Sequence, residues 1–175
     1  MLEFFKNVIT FLNYRNIPYM LSGSVALSIY IVPRATRDID IVVEFSPDDV
    51  NKFVEHFSKL YYCDRDSILD ALKRKSMFNI IDGKSGFKAD FIILKTKRYH
   101  QNAFERRRIT EFLNIPVYVV SPEDLVLAKI IWIQELQSAQ QITDITNLLE
   151  ITTLDKEYIL YWIKELDLIT FGLPL

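Results

Sequence analysis

The chain has 175 residues and a formal net charge of −2, with 50% hydrophobic, 25% charged and 13% aromatic residues. That composition suits one globular domain with a substantial core and excludes a disordered chain. Only four glycines occur, at positions 23, 83, 86 and 172, so neither a G-x-G-x-x-G dinucleotide fingerprint nor a G-x-x-x-x-G-K-[ST] phosphate loop is present.

In chain order, Leu2, Phe5, Val8, Ile9 and Leu12 fall at helical spacing and predict a helix over residues 2–15. Tyr19-Met20-Leu21 reads as a short strand, interrupted by Ser22-Gly23-Ser24. Residues 25–31 read as a helix stopped near Pro33, and residues 38–44 as a strand of alternating acidic and β-branched positions. Ser46-Pro47-Asp48-Asp49 opens a helix expected to reach about residue 60, followed by a short helix over 66–75. Two strand-like runs, 76–81 and 87–95, flank the hairpin turn Asp82-Gly83-Lys84-Ser85-Gly86. A helix over 98–107 and short β segments at 111–113 and 117–120 lead to Ser121-Pro122-Glu123-Asp124, a strong helix start. Helices are then expected over 122–137, 140–150 and 155–166. The chain thus divides into an α/β part over 1–120 and helices over 121–175 packed on it as one unit.

Cys63 is the one cysteine, and His56 and His100 are the only histidines, which excludes an internal disulfide and disfavours a Cys- or His-based zinc site. The longest uncharged stretch, residues 16–33, is broken by Pro18, Ser22, Ser24 and Ser28, too polar for a membrane span. The first six residues show no leader pattern. A cytoplasmic protein without a membrane partner is expected.

Three features bear on chemistry. Ser22-Gly23-Ser24 stands at a strand-to-helix junction. It is either a plain turn and cap, or a phosphate cradle made of backbone N–H groups, a helix N-terminus and two hydroxyls. Asp38 and Asp40, two apart on a strand, project from one face while Ile39, Ile41 and Val43 take the other. Adjacent carboxylates repel unless a cation lies between them, and an all-oxygen pair suits Mg²⁺; the alternative is a solvated pair at a strand end. Asp90 sits inside the apolar run Lys88-Ala89-Asp90-Phe91-Ile92-Ile93. It either faces water on an edge strand or completes a three-carboxylate cluster, if its strand lies beside that of Asp38 and Asp40.

Farther on, Leu125, Lys129, Trp132 and Leu136 share one helix face, and Lys129 is the one charge over residues 125–133. It must snorkel to water or meet an anion. Arg34 and Arg37 flank the carboxylate strand, as solvated side chains or phosphate contacts. Arg106-Arg107-Arg108, with Lys95, Lys97 and Arg98, is the densest basic cluster, either a plain basic surface or an RNA contact. Tyr61, Tyr62, Trp132, Tyr158, Tyr161 and Trp162 read as core or helix-packing residues, with base stacking a minor option.

Taken together, Leu21-Ser22-Gly23-Ser24, a helix, Thr36-Arg37-Asp38-Ile39-Asp40-Ile41-Val42-Val43 and a later strand with Asp90 resemble the nucleotidyltransferase superfamily, the polymerase β-like fold. Val120-Ser121-Pro122-Glu123-Asp124-Leu125, with Lys129, looks like the S-P-E-D-L…K helix of its minimal members, among them the AbiEii/MenA-like toxin group. The resemblance covers roughly residues 15–150. It implies a mixed twisted β-sheet flanked by helices, with a helical C-terminal part. It also implies transfer of an NMP from an NTP to a hydroxyl, with release of pyrophosphate. Asp38, Asp40 and Asp90 would be the catalytic and metal-binding residues for two Mg²⁺ ions. Ser22, Gly23, Ser24 and Lys129 would position the nucleotide, with Arg37 and Asp144 as secondary contacts.

Many relatives carry R-x-K-D-x-x-D after the lysine helix, whereas this chain has Ser138, Gln140, Gln141 and Asp144. Asp144 matches the last aspartate of that pattern and is expected to orient Lys129 or cap local backbone. The acceptor is open between RNA, in particular tRNA, for a toxin with an antitoxin partner, and a protein hydroxyl. A nucleotide-binding module without turnover is the third reading.

Overall fold

The computed structural model describes residues 2–33 and 35–175; Arg34, read above as a flanking arginine, lies outside them. Helix α1 (Leu2–Tyr14) leads into strand β1 (Tyr19–Ser22), helix α2 (Gly23–Tyr30) and strand β2 (Asp38–Val43). Then follow α3 (Pro47–Phe57), β3 (Tyr62–Cys63), α4 (Arg65–Arg74), β4 (Met77–Ile81) and β5 (Lys88–Ile93). The chain closes with α5 (Arg98–Glu105), β6 (Arg108–Phe112), β7 (Ile115–Val119), α6 (Pro122–Ile133), α7 (Ala139–Leu149) and α8 (Lys156–Glu165).

The seven strands form one mixed sheet in the order β3-β4-β5-β2-β1-β7-β6. The central strands β2 and β5 run parallel, β1 lies antiparallel to β2, and β7 lies parallel to β1. This is the helix-flanked mixed sheet that the resemblance implied. One sheet face is apolar. Phe78 and Phe91 stack there at 4.9 Å between centroids, with Phe53 of α3 set edge-on to both and to Phe11 of α1. Such aromatic pairs add roughly 0.5–1.5 kcal/mol each beyond their buried area. The opposite face carries the acidic positions, because alternate residues of β2 and β5 must point there.

Local signals account for most boundaries. Ser46 and Asp49 form a reciprocal capping box at the start of α3. Asp64 caps α4 by accepting from the Ser67 N–H at 2.7 Å, and Lys75 ends that helix in a left-handed conformation. Leu113 and Asn114, both at positive φ, join β6 to β7 in the tight turn that a right-twisted hairpin favours.

Some expectations are corrected. The helix over 98–107 stops at Glu105, and β6 starts at Arg108 rather than at Glu111. Strand β3 is only two residues long, too short for a periodic signal. Tyr62 and Trp132, expected in packing, are each 60% exposed, and α6 ends before Leu136. Among the described residues no helix is long and apolar enough to cross a membrane.

Candidate active site

β1 hands over to α2 at Ser22, which pairs in register with Asp40 of β2. Gly23, the first residue of α2, has φ +58°, a region that side-chain-bearing residues enter at a cost of about 1–2 kcal/mol. A Cβ built on Gly23 would lie 2.6 Å from Cγ of Asp40 and still nearer one carboxylate oxygen. The glycine therefore lets a carboxylate, as well as any ligand, approach the start of the helix.

Next along the sheet, the parallel pair β2–β5 sets Asp38 opposite Lys88 and Asp40 opposite Asp90. Paired residues share a face, so Asp90 stands beside Asp40 on the neighbouring strand. Asp90 is buried and Asp38 is about half exposed. Burial, then Asp90 and then Asp38, push the Asp40 carboxyl above its ordinary pKa, against the pull of Lys88 and Lys129. One oxygen of Asp90, Oδ1, is buried with no hydrogen-bond partner, which is costly for a carboxylate.

Lys88, to which the sequence pattern assigns no role, also enters the site. Its Nζ lies 2.7 Å from Asp90 Oδ2 and 3.8 Å from Asp38 Oδ1, so the lysine is the cation between the acids. The hydrogen bond to Asp90 is the main reason its own pKa is raised. The two-residue spacing Lys88–Asp90 on a strand was the available signal. Among the described residues no three His, Cys, Asp or Glu side chains converge as a ready-made metal cage; the ammonium of Lys88 stands among these carboxylates instead.

α6 supplies the facing wall. Ser121 accepts the Asp124 N–H at 3.1 Å, and Asp124 in turn accepts from Ser121 Oγ, Arg106 and Tyr158. This buried network anchors the S-P-E-D start of the helix. Seven residues on from Pro122, Lys129 is only 5% exposed. It does not snorkel: its Nζ donates to Asp144 Oδ2 at 2.8 Å and to Gln141 Oε1 at 2.9 Å. Asp144 thus stands directly behind Lys129.

Ser22, Gly23, Ser24, Asp38, Asp40, Asp90 and Lys129 all line one cavity of about 590 Å³. Arg37 is exposed outside it, and its carbonyl accepts the Lys88 N–H at 3.0 Å. The basic run 106–108 is largely committed elsewhere. Arg106 bonds Asp124 and Glu123 and lies 3.9 Å from the Tyr158 ring centroid; Arg108 pairs with Glu123; Arg107 donates to the Phe104 carbonyl. Trp132 lies exposed at the cavity, and His100, given no role from the sequence, also lines it.

No family model and no curated protein matches this sequence. Solved structures do. ANT(2'')-Ia in complex with adenylyl-2''-tobramycin superposes with a TM-score of 0.63 at 15% identity, over 94% of this chain and 95% of that one. The lincosamide antibiotic adenylyltransferase LnuA, bound to lincomycin, matches with a TM-score of 0.57 at 14% identity, over 83% of this chain and 94% of its own. A nucleotidyltransferase-type protein from Thermotoga maritima matches with a TM-score of 0.52 at 14% identity, over 94% and 92%. At these identities the likeness is one of fold, and the fold is that of the nucleotidyltransferases.

Proposed function

We propose that this chain is a Mg²⁺-dependent nucleotidyltransferase that moves an NMP from an NTP to the hydroxyl of an acceptor and releases pyrophosphate. The observation that carries this reading is the register of three elements: Ser22 at the α2 start, Asp40 beside it, and Asp90 beside Asp40. The donor set fits a hard divalent cation, being three carboxylates on one face, one of them with a buried oxygen that lacks a partner. Asp38, Asp40 and Asp90 would hold the ions, taking over from Lys88. Bound there, Mg²⁺ would offset the negative charge that builds up on the attacking and leaving oxygens.

The chain's own groups do the rest. The N–H groups and hydroxyls at Ser22, Gly23 and Ser24 receive phosphate oxygens at the N-terminus of α2. Lys129 adds a cation on the opposite wall, held in place by Asp144 and Gln141, and Arg37, exposed outside the cavity, would be a secondary phosphate contact. The acceptor oxygen forms its bond to the α-phosphorus while the bond to pyrophosphate breaks. Asp90 takes the hydroxyl proton. Positioning and charge compensation account for most of the acceleration in such a transfer.

A small-molecule acceptor is favoured over RNA, because the arginines of 106–108 are engaged within the protein and the two antibiotic-modifying neighbours named above share the fold. The test is incubation of the protein with each labelled NTP and Mg²⁺, beside an Asp38→Ala/Asp40→Ala variant, with small-molecule, RNA and protein acceptors. Label transfer by the parent and none by the variant supports the reading. Equal transfer by both, or no nucleotide binding by the parent, overturns it.

A further inference from the structure

One sheet row beyond the carboxylates the same face becomes apolar. Met20, Val42 and Ile92 are in mutual register, each two residues along its strand from Ser22, Asp40 and Asp90 respectively. All three line the cavity, and Leu125 and Ala128 of α6 line it from the facing wall. The spacing along a strand places this apolar row about 7 Å past the acids.

The charges around that end are unsuited to a polycation. The carboxylates among the described cavity-lining residues are Asp38, Asp40, Asp90 and Asp124. The first three form the proposed metal site. Asp124 has both oxygens occupied, Oδ2 by Ser121 Oγ and Arg106 Nε, and Oδ1 by the Tyr158 hydroxyl. Of the lysines in the lining, Lys88 is paired with Asp90 and Lys129 with Asp144, so beyond the proposed metal site the described lining offers the amines of an amino sugar no uncommitted carboxylate. A polar handle is nevertheless present. His100 lines the cavity, and its Nδ1 is buried without a partner. Burial, with Lys95 and Lys97, lowers its pKa to about 4, so at neutral pH the ring is an uncharged hydrogen-bonding group.

The geometry points to an uncharged small molecule with an apolar body as the acceptor, seated between the Met20–Val42–Ile92 row and Leu125–Ala128, hydrogen-bonded to His100, and presenting its hydroxyl to Asp90. This rests on the nucleotidyl-transfer reading. The acceptor O–H is broken, its proton passes to the Asp90 carboxylate, the oxygen bonds the α-phosphorus, and pyrophosphate leaves with the electron pair of the broken P–O bond. A cavity of about 590 Å³ falls within the usual range for small-molecule sites.

The experiment is a titration of the full chain, with Mg²⁺ and a non-hydrolysable NTP analogue present, by methyl, butyl and hexyl glucoside, by tobramycin and by a short RNA. Each methylene that enters the apolar row should tighten binding about threefold to fourfold, while tobramycin binds no better than methyl glucoside. Ala128→Leu, which fills the row, should abolish the chain-length dependence and leave the analogue's affinity unchanged. Ala103→Leu, at a lining position of the same cavity on α5, is the second variant if the first does not fold. Binding that is flat with chain length, or tighter for tobramycin or RNA, overturns this inference while analogue binding leaves the transfer reading standing. Failure of the analogue itself to bind overturns both.

Discussion

The carboxylate of Asp40 fills the space that a side chain on Gly23 would need. The glycine is thus required twice, by its positive φ and by the acid beneath it. Gly23→Ala is expected to cost about 1–2 kcal/mol in backbone strain and also to push Asp40 out of line with Asp90. In thermal melts the variant should unfold earlier and lose the rise in melting temperature that an NTP with Mg²⁺ gives the parent. Gly83→Ala is the control. No atom lies within 4 Å of its added Cβ, so stability should stay within about 0.5 kcal/mol and nucleotide binding should be unchanged.

Lys88 holds Asp90 by a 2.7 Å ion pair. Lys88→Met leaves that buried carboxylate without its cation, a loss of about 1–3 kcal/mol in EDTA. Divalent cation should restore much of the difference, because it no longer competes with an ammonium group. The check is a pair of melting curves, with EDTA and with Mg²⁺, for parent and variant. A larger Mg²⁺-induced rise in the variant is the expected result; the absence of any rise in either protein would sink the carboxylate assignment.

Much of this site was legible in the sequence because it obeys a period of two. Asp38, Asp40 and Asp90 could be set on one face of their strands by counting, and Ser22-Gly23-Ser24 marked a strand-to-helix junction. What counting could not supply was register between distant strands. Whether Asp90 met Asp40 depended on β2 and β5 being neighbours, which no local period reveals. Lys88 gives little local signal, because a lysine beside a strand aspartate normally reads as solvated. His100 could not be singled out, since its place at the cavity depends on how α5 follows β5. Trp132 misled by its size: large aromatics are usually buried, and this one is 60% exposed.

Lys129 and Asp144 form a pair in which both side chains are nearly inaccessible, at 5% and 3% exposure. Removing Asp144 leaves the Lys129 ammonium buried without its carboxylate, which typically costs about 3–5 kcal/mol. Asp144→Leu should lower stability by an amount in that range, and Lys129→Met by less, because Asp144 also accepts from Gln140 Nε2. The double variant should lose less than the sum of the two, because the ammonium that Asp144→Leu strands is gone as well. Urea titrations of the four proteins give the coupling directly. Additive losses would show that the two residues act independently, contrary to the 2.8 Å contact between them.

The neutral His100 ring makes stability depend on pH. Burial and the nearby Lys95 and Lys97 lower its pKa from 6.5 to about 4 in the folded chain. The unfolded chain takes up the proton first as pH falls, so the native state loses stability from about pH 6.5 downward until the folded pKa near 4 is passed. Above pH 6.5 both states are neutral at this position and the contribution is constant. His100→Phe removes the titration and should flatten that part of the profile. His56 is also lowered, by burial and then Lys59, but it is present in both proteins and cancels in the difference. Denaturant melts of parent and variant at half-unit steps between pH 4 and pH 8 measure the effect. Parallel curves across that window would mean that His100 is solvated, and would remove it from the cavity wall.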